Sequence, residues 1–321
     1  MGKVSLTLDR EKQALSQEKD ISLTGLAHLF IVYVVWGSTY LAIRVGVREG
    51  SGFPPFTFGA FRIIVAGAVL LLLGVLRRKK LLPTKQEWLT LVGSGLLLWI
   101  GGNGLVLWAE QHIGSGIAAL IVASVPIWVA GGEALLDRRL PSYRLILFLV
   151  IGLGGIVLLS SPVWNSGITT DILGILLLFL ASFSWGWGMI LQSRRPVQLA
   201  NIVSAGYQQL TGGLVFMLLG FLTGEPRPTP SPQAWAALGY LIVFGSLLAF
   251  TSFVTALQLL PTPIVITYSY VNPVIAVFLG WMLLDEPISL STLGGAALVL
   301  IGVAGVFRER RNTKKMPTSA G

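Results

Sequence analysis

One length dominates this chain. From about residue 22 to about residue 307, apolar stretches of some twenty residues follow one another, separated by short segments rich in Gly, Pro and charge. Twenty helical residues span about 30 Å, the thickness of a bilayer's hydrocarbon. Ten such stretches are legible, at roughly 22–43, 54–76, 87–108, 116–136, 143–161, 171–192, 201–222, 234–257, 263–284 and 289–307. Only 12% of the 321 residues are charged and 54% are hydrophobic, where a soluble domain carries about one-quarter charged residues. The spacing predicts an all-α polytopic membrane protein with ten transmembrane helices. The longest connection, "TGEPRPTPSPQ", is too small to be a domain of its own.

The charges set an orientation. With both termini in the cytoplasm, nineteen Lys and Arg fall inside, among them Arg77, Arg78, Lys79, Lys80, Arg138 and Arg139. Only Arg44, Arg48 and Arg227 fall outside, and Arg62 stays within a helix. That asymmetry is the positive-inside pattern. It also accounts for the net charge of +9 without nucleic acid as a partner. The first twenty residues are too polar to be a signal peptide's apolar core. Residues 1–21 and 308–321 are therefore expected as cytoplasmic tails.

The chain repeats itself. A shift of about 147 residues lays Trp88 on Trp235, Leu91 on Leu238, Ala109 on Ala256, Ile117 on Ile264 and Pro126 on Pro273. Such self-similarity marks a duplicated unit. Five helices per unit is an odd number, so the second unit, 162–307, is expected upside down relative to the first, 22–161. Inverted repeats build transporters whose site lies near the midplane, between the repeats.

The segment "TYSYVNP", Thr267 to Pro273, places unusual polarity inside the ninth stretch. A proline frees a carbonyl that lipid cannot satisfy, so irregular backbone belongs beside protein or a water-filled cavity. Pro126 and Pro273 are the candidate helix breaks. Tyr268, Tyr270 and Asn272 are candidate substrate contacts, joined by Trp36, Tyr40, Trp99, Asn103 and Trp185 from other helices. Together they offer aromatic walls and neutral hydrogen-bonding groups, which suit a zwitterionic amino acid. Arg62 is expected to be structural, with anchoring of an anionic substrate as its functional alternative. Gln208 and Gln209 read as glue between helices. No carboxylate falls near the midplane, so a buried-acid proton relay is not expected. No metal, cofactor or catalytic residue is expected either: His28 and His112 stand alone and cysteine is absent.

Three segments carry a family resemblance. "WGSTYLAIR" (Trp36 to Arg44), "PFTFGAFR" (Pro55 to Arg62) and the stretch from Ala256 to Val303 resemble signatures of the drug/metabolite transporter superfamily, EamA branch. Arg139 departs from the pattern, which has Glu there, whereas Glu286 keeps it. Within that branch the chain is similar to bacterial inner-membrane exporters of the YddG type. The resemblance implies ten helices in two inverted repeats, alternating access, and a central cavity lined by helices 1, 3, 4, 6, 8 and 9. It implies export of aromatic and other apolar amino acids, with drugs or other metabolites as the alternative. A membrane-embedded enzyme acting on a lipid-linked substrate would need a central acid, a His or a metal pair, and none is found. The expected partners are a small-molecule substrate and the lipid bilayer, with the protein a monomer.

Overall fold

The computed structural model describes residues 21–47, 50–110, 118, 121–159, 172–284 and 289–313. Among them the regular structure is all helical. In chain order the helices are α1 (Leu23–Val47), α2 (Pro55–Leu76), α3 (Lys85–Ala109), α4 (Val125–Asp137) and α5 (Tyr143–Leu159). Then come α6 (Ile172–Arg194), α7 (Asn201–Leu222), α8 (Pro232–Leu259), α9 (Tyr268–Leu284) and α10 (Leu290–Thr313). Seven of them, α1, α2, α3, α6, α7, α8 and α10, are long and apolar enough to cross a membrane. The other three are shorter: α4 has 13 residues, α5 and α9 have 17 each.

The helix starts follow local chemistry. Thr84 and Glu87 form a reciprocal capping box at the head of α3, which satisfies two otherwise orphaned N–H groups. Glu87 also accepts from the Gln198 N–H (2.9 Å) and so holds the α6–α7 connection against α3. At the other end of the bundle, Glu225 accepts from Phe56 N–H, Thr57 N–H and the Thr57 hydroxyl (2.8, 2.8 and 2.7 Å). A carboxylate there suits the positive end of the α2 dipole.

Two helix pairs are packed through glycines. Between α2 and α7, a Cβ on Gly67 would stand 2.9 Å from the Gly206 carbonyl. Between α5 and α10, a Cβ on Gly302 would stand 2.8 Å from Gly152 backbone. Only glycine permits backbones so close, as in helix pairs packed by small residues. Large apolar side chains such as Phe30, Phe61, Leu72, Phe179, Leu218 and Leu300 point outward. A surface of that kind belongs in lipid rather than water.

Two expectations about helix breaks need correction. Pro126 is not in mid-helix: it occupies the first turn of α4, where a missing N–H is no loss. The chain turns just before it, at Ala123–Ser124. Pro273 does lie inside α9, and it cannot donate to the Ser269 carbonyl one turn back. Yet the interruption of the expected ninth helix comes earlier, at Ile266–Thr267, between the single turn Thr262–Val265 and α9. A different distortion appears in α3 and α8. Each widens into a π-helical segment, Leu96–Gly104 and Leu241–Phe250 respectively. Wide turns of this kind are rare and concentrate at functional sites.

Candidate functional site

A cavity of about 80 Å³ lies among α1, α2, α3, α6, α9 and the start of α4. At ten to fifteen Å³ per water this is room for about half a dozen waters, the scale of one small organic molecule. Trp36, Thr39 and Ile43 reach it from α1, at helical i, i+3 and i+7 spacing. Trp99, Gly102, Asn103 and Val106 come from α3, three of them on its π segment. Ala181, Ser182 and Trp185 come from α6, Tyr268 and Asn272 from α9, and Arg62 from α2.

Tyr268 and Asn272 lie in the opening turns of α9, but on α1, α2 and α3 the lining positions fall in one half of the bundle. They occupy the later half of α1 and α3, and the third turn of α2. Neighbouring helices joined by short connections run in opposite directions, so these positions share an end. It is the end where α1 finishes and α2 begins, opposite the Lys- and Arg-rich turns around Arg77–Lys80 and Arg138–Arg139.

Three of the lining rings, Trp36, Trp185 and Tyr268, form an aromatic cluster with Phe253. Trp36 meets Trp185, Phe253 and Tyr268 at ring-centroid distances of 5.7, 5.2 and 5.1 Å, and Phe253 meets Tyr268 at 5.9 Å. Each such contact contributes about 0.5–1.5 kcal/mol beyond burial. From the cluster the Tyr268 hydroxyl reaches Met189 sulfur (3.9 Å), and Tyr33 hydrogen-bonds Thr267.

The π segment of α8 organises the cavity from behind. Its Gly245 carbonyl accepts the Trp36 indole N–H (3.2 Å). Its Ser246 hydroxyl accepts Arg62 Nε–H (2.9 Å), and its Ser246 carbonyl accepts from Gln209 (3.3 Å). Arg62 is 5% exposed and lies 5.5 Å from the centre of the Trp99 ring. A cation over an indole face is favourable by about 2 kcal/mol when desolvated. The expectation that the eighth helix lines the cavity is corrected: it supports the lining from behind, and α2 contributes Arg62 in its place.

Six of the eight expected contact residues meet at this cavity: Trp36, Trp99, Asn103, Trp185, Tyr268 and Asn272. Tyr270 does not. Its ring packs on Gly152 of α5 and its hydroxyl donates to the Leu149 carbonyl (3.0 Å), so it ties α9 to α5. The side chain of Tyr40 lies outside the described residues. Asn272, with its amide nitrogen facing acceptors, donates to the carbonyls of Tyr33 (3.2 Å) and Tyr268 (3.0 Å). That nitrogen therefore knits α1 to α9. Gln208 bridges Ser94 and Gln192 (2.7 and 3.0 Å), the interhelical role expected of it.

The sequence reading missed Ser246 as the support of Arg62, and it weighted Arg62 toward structure. The available signal was a lone Arg inside an apolar helix, which by itself does not say whether the group faces a cavity or a carbonyl. Among the described residues no group of His, Cys, Asp and Glu could hold a metal ion.

Comparison with known proteins agrees with this architecture. An uncharacterized inner membrane transporter of Escherichia coli K12, YedA, is 35% identical over 263 residues, covering 81% of this chain and 83% of that protein. The PecM protein of Dickeya dadantii is 25% identical over 299 residues, covering 90% and 96%. A solved crystal structure, 21% identical, superposes with a TM-score of 0.73 over 89% of this chain and 98% of that one. It bears on the fold alone. The profile of the EamA-like transporter family matches twice, over residues 23–161 and 172–308. This chain therefore belongs to the EamA-like transporter family.

Proposed function

We propose that the protein is a secondary transporter of the bacterial inner membrane that moves aromatic and other apolar amino acids by alternating access. Ten helices in two inverted five-helix repeats, with both termini cytoplasmic, form the frame of this reading. The double family match and the paired π segments support two related halves. The inner-membrane setting follows from the name of the Escherichia coli relative together with the apolar helices.

The observation that carries the reading is the cavity itself. Three tryptophans, a tyrosine, Arg62 and a few neutral polar groups surround a space of small-molecule size, with the rings of Trp36, Trp185 and Tyr268 in mutual contact beside it. Apolar walls with a few fixed polar groups are what a small-molecule site requires. Alternating access then includes parting of the Trp36, Trp185, Phe253 and Tyr268 cluster. The described residues supply no carboxylate to the lining, so the substrate's own gradient is the driving force.

Uptake of labelled phenylalanine into liposomes carrying the purified protein tests this. Saturable uptake above protein-free liposomes, without an imposed ion gradient and competed by tryptophan or methionine, is the expected result. Absence of uptake with and without a proton gradient sinks the amino-acid assignment and favours other metabolites or drugs.

A further inference from the structure

The cavity carries an imbalance of charge and of hydrogen-bond donors. Among the described residues Arg62 is the cavity's sole fully charged lining group. A guanidinium has five N–H donors. Nε–H goes to Ser246, and among the described residues neither Nη group has a hydrogen-bond acceptor or a carboxylate partner. Two further lining residues, Trp99 and Trp185, carry buried indole N–H groups with no acceptor. The Asn103 amide makes no hydrogen bond to a described residue either. Unmet buried donors are costly, and more so when charged.

Acceptors are scarce by comparison. The Thr39 hydroxyl donates to the Trp36 carbonyl (2.8 Å), and the Ser182 hydroxyl to the Leu178 carbonyl (2.9 Å). What remains for an incoming cation is neutral oxygen lone pairs. Glu110, one turn beyond Val106 on α3, is outside the lining and has contacts of its own.

We propose that this cavity recognises its substrate by a carboxylate, held by Arg62 with indole N–H support, so that it takes arylalkyl carboxylates at least as readily as the matching amino acids and both well ahead of the matching cations. This rests on the transport reading above and sharpens its substrate class. The aromatic ring of such a molecule lies among Trp36, Trp185 and Tyr268. An α-ammonium group finds no opposite charge among the described lining residues, so it adds little to binding and brings its full desolvation cost.

Three probes with one skeleton separate the contributions: 3-phenylpropionate, phenylalanine and 2-phenylethylamine. Binding of each to the purified protein at neutral pH is measured by calorimetry. The acid is expected to bind at least as tightly as phenylalanine and about tenfold or more tighter than the amine. Arg62→Gln is expected to erase that preference, and Arg62→Lys to retain its sign. The order of the three affinities in the unaltered protein stands as a test even if both variants fail to fold. An amine that binds as well as the acid overturns the proposal, as does acid binding that is absent or indifferent to Arg62→Gln. Phenylalanine flux is scored separately. Flux with the wrong order of affinities sinks the charge assignment alone, whereas the right order without flux supports it and sinks the transport reading.

Discussion

At the scale of single residues, the segment "TYSYVNP" divides its labour. Tyr268 faces the cavity and Tyr270, two positions on, faces α5. Tyr270→Phe removes one hydrogen bond to the Leu149 carbonyl. It is expected to lower stability by about 1 kcal/mol, read as thermal unfolding in detergent, and to leave uptake intact. Asn103→Ala is the converse. Its amide has no hydrogen-bonding partner among the described residues, so stability should move by no more than about 0.5 kcal/mol while uptake falls severalfold. The reverse pattern would mean the two roles are exchanged. That the segment is polar was plain in the sequence, and so was the presence of Trp36, Trp99 and Asn103 at membrane depth. Which tyrosine faces inward was not, because polar groups fell on two faces of the helix and periodicity could not choose between them. Arg62 was equally ambiguous: its role depends on Ser246, 184 residues away, and no local pattern announces that pairing.

At the scale of elements, two glycine-packed pairs frame helices that are less regular. The α5–α10 contact at Gly302 admits no side chain without moving backbone. Gly302→Leu is expected to destabilise by about 1–3 kcal/mol, the usual cost of overpacking, with a corresponding loss of folded protein in detergent. An unchanged melting point would show that the pair can slide apart. Helix positions were legible because apolar length is a strong signal; the seventh stretch, 201–222, coincides with α7. The starts of α4 and α9 were not, because prolines drew attention to themselves while the turns lie upstream, at Ala123–Ser124 and Ile266–Thr267. The π segments left no periodic trace at all. "LLLWIGGNG" and "LIVFGSLLAF" are apolar and share little but a glycine.

At the scale of the whole molecule, the asymmetry of basic residues predicts that the end where α1 finishes and α2 begins faces outside. The chain lacks cysteine, so single cysteines report cleanly. Lys79→Cys is expected to react with a membrane-impermeant maleimide only from the cytoplasmic face, and Arg227→Cys only from the opposite face. Equal labelling from both sides, or the opposite pattern, would reverse the orientation. The central claim is that substrate crosses through the cavity between Trp36, Trp99, Trp185 and Arg62. Gly102 lines it, and a Cβ there would stand 2.6 Å from the Trp185 ring. Gly102→Leu therefore drives the indole into the space that substrate needs. The deciding measurement is labelled phenylalanine uptake by liposomes carrying this variant, at matched amounts of folded protein. The account predicts that saturable uptake is lost while the variant remains folded and inserted. Undiminished uptake by the folded variant would contradict it, and the path would have to run elsewhere in the bundle.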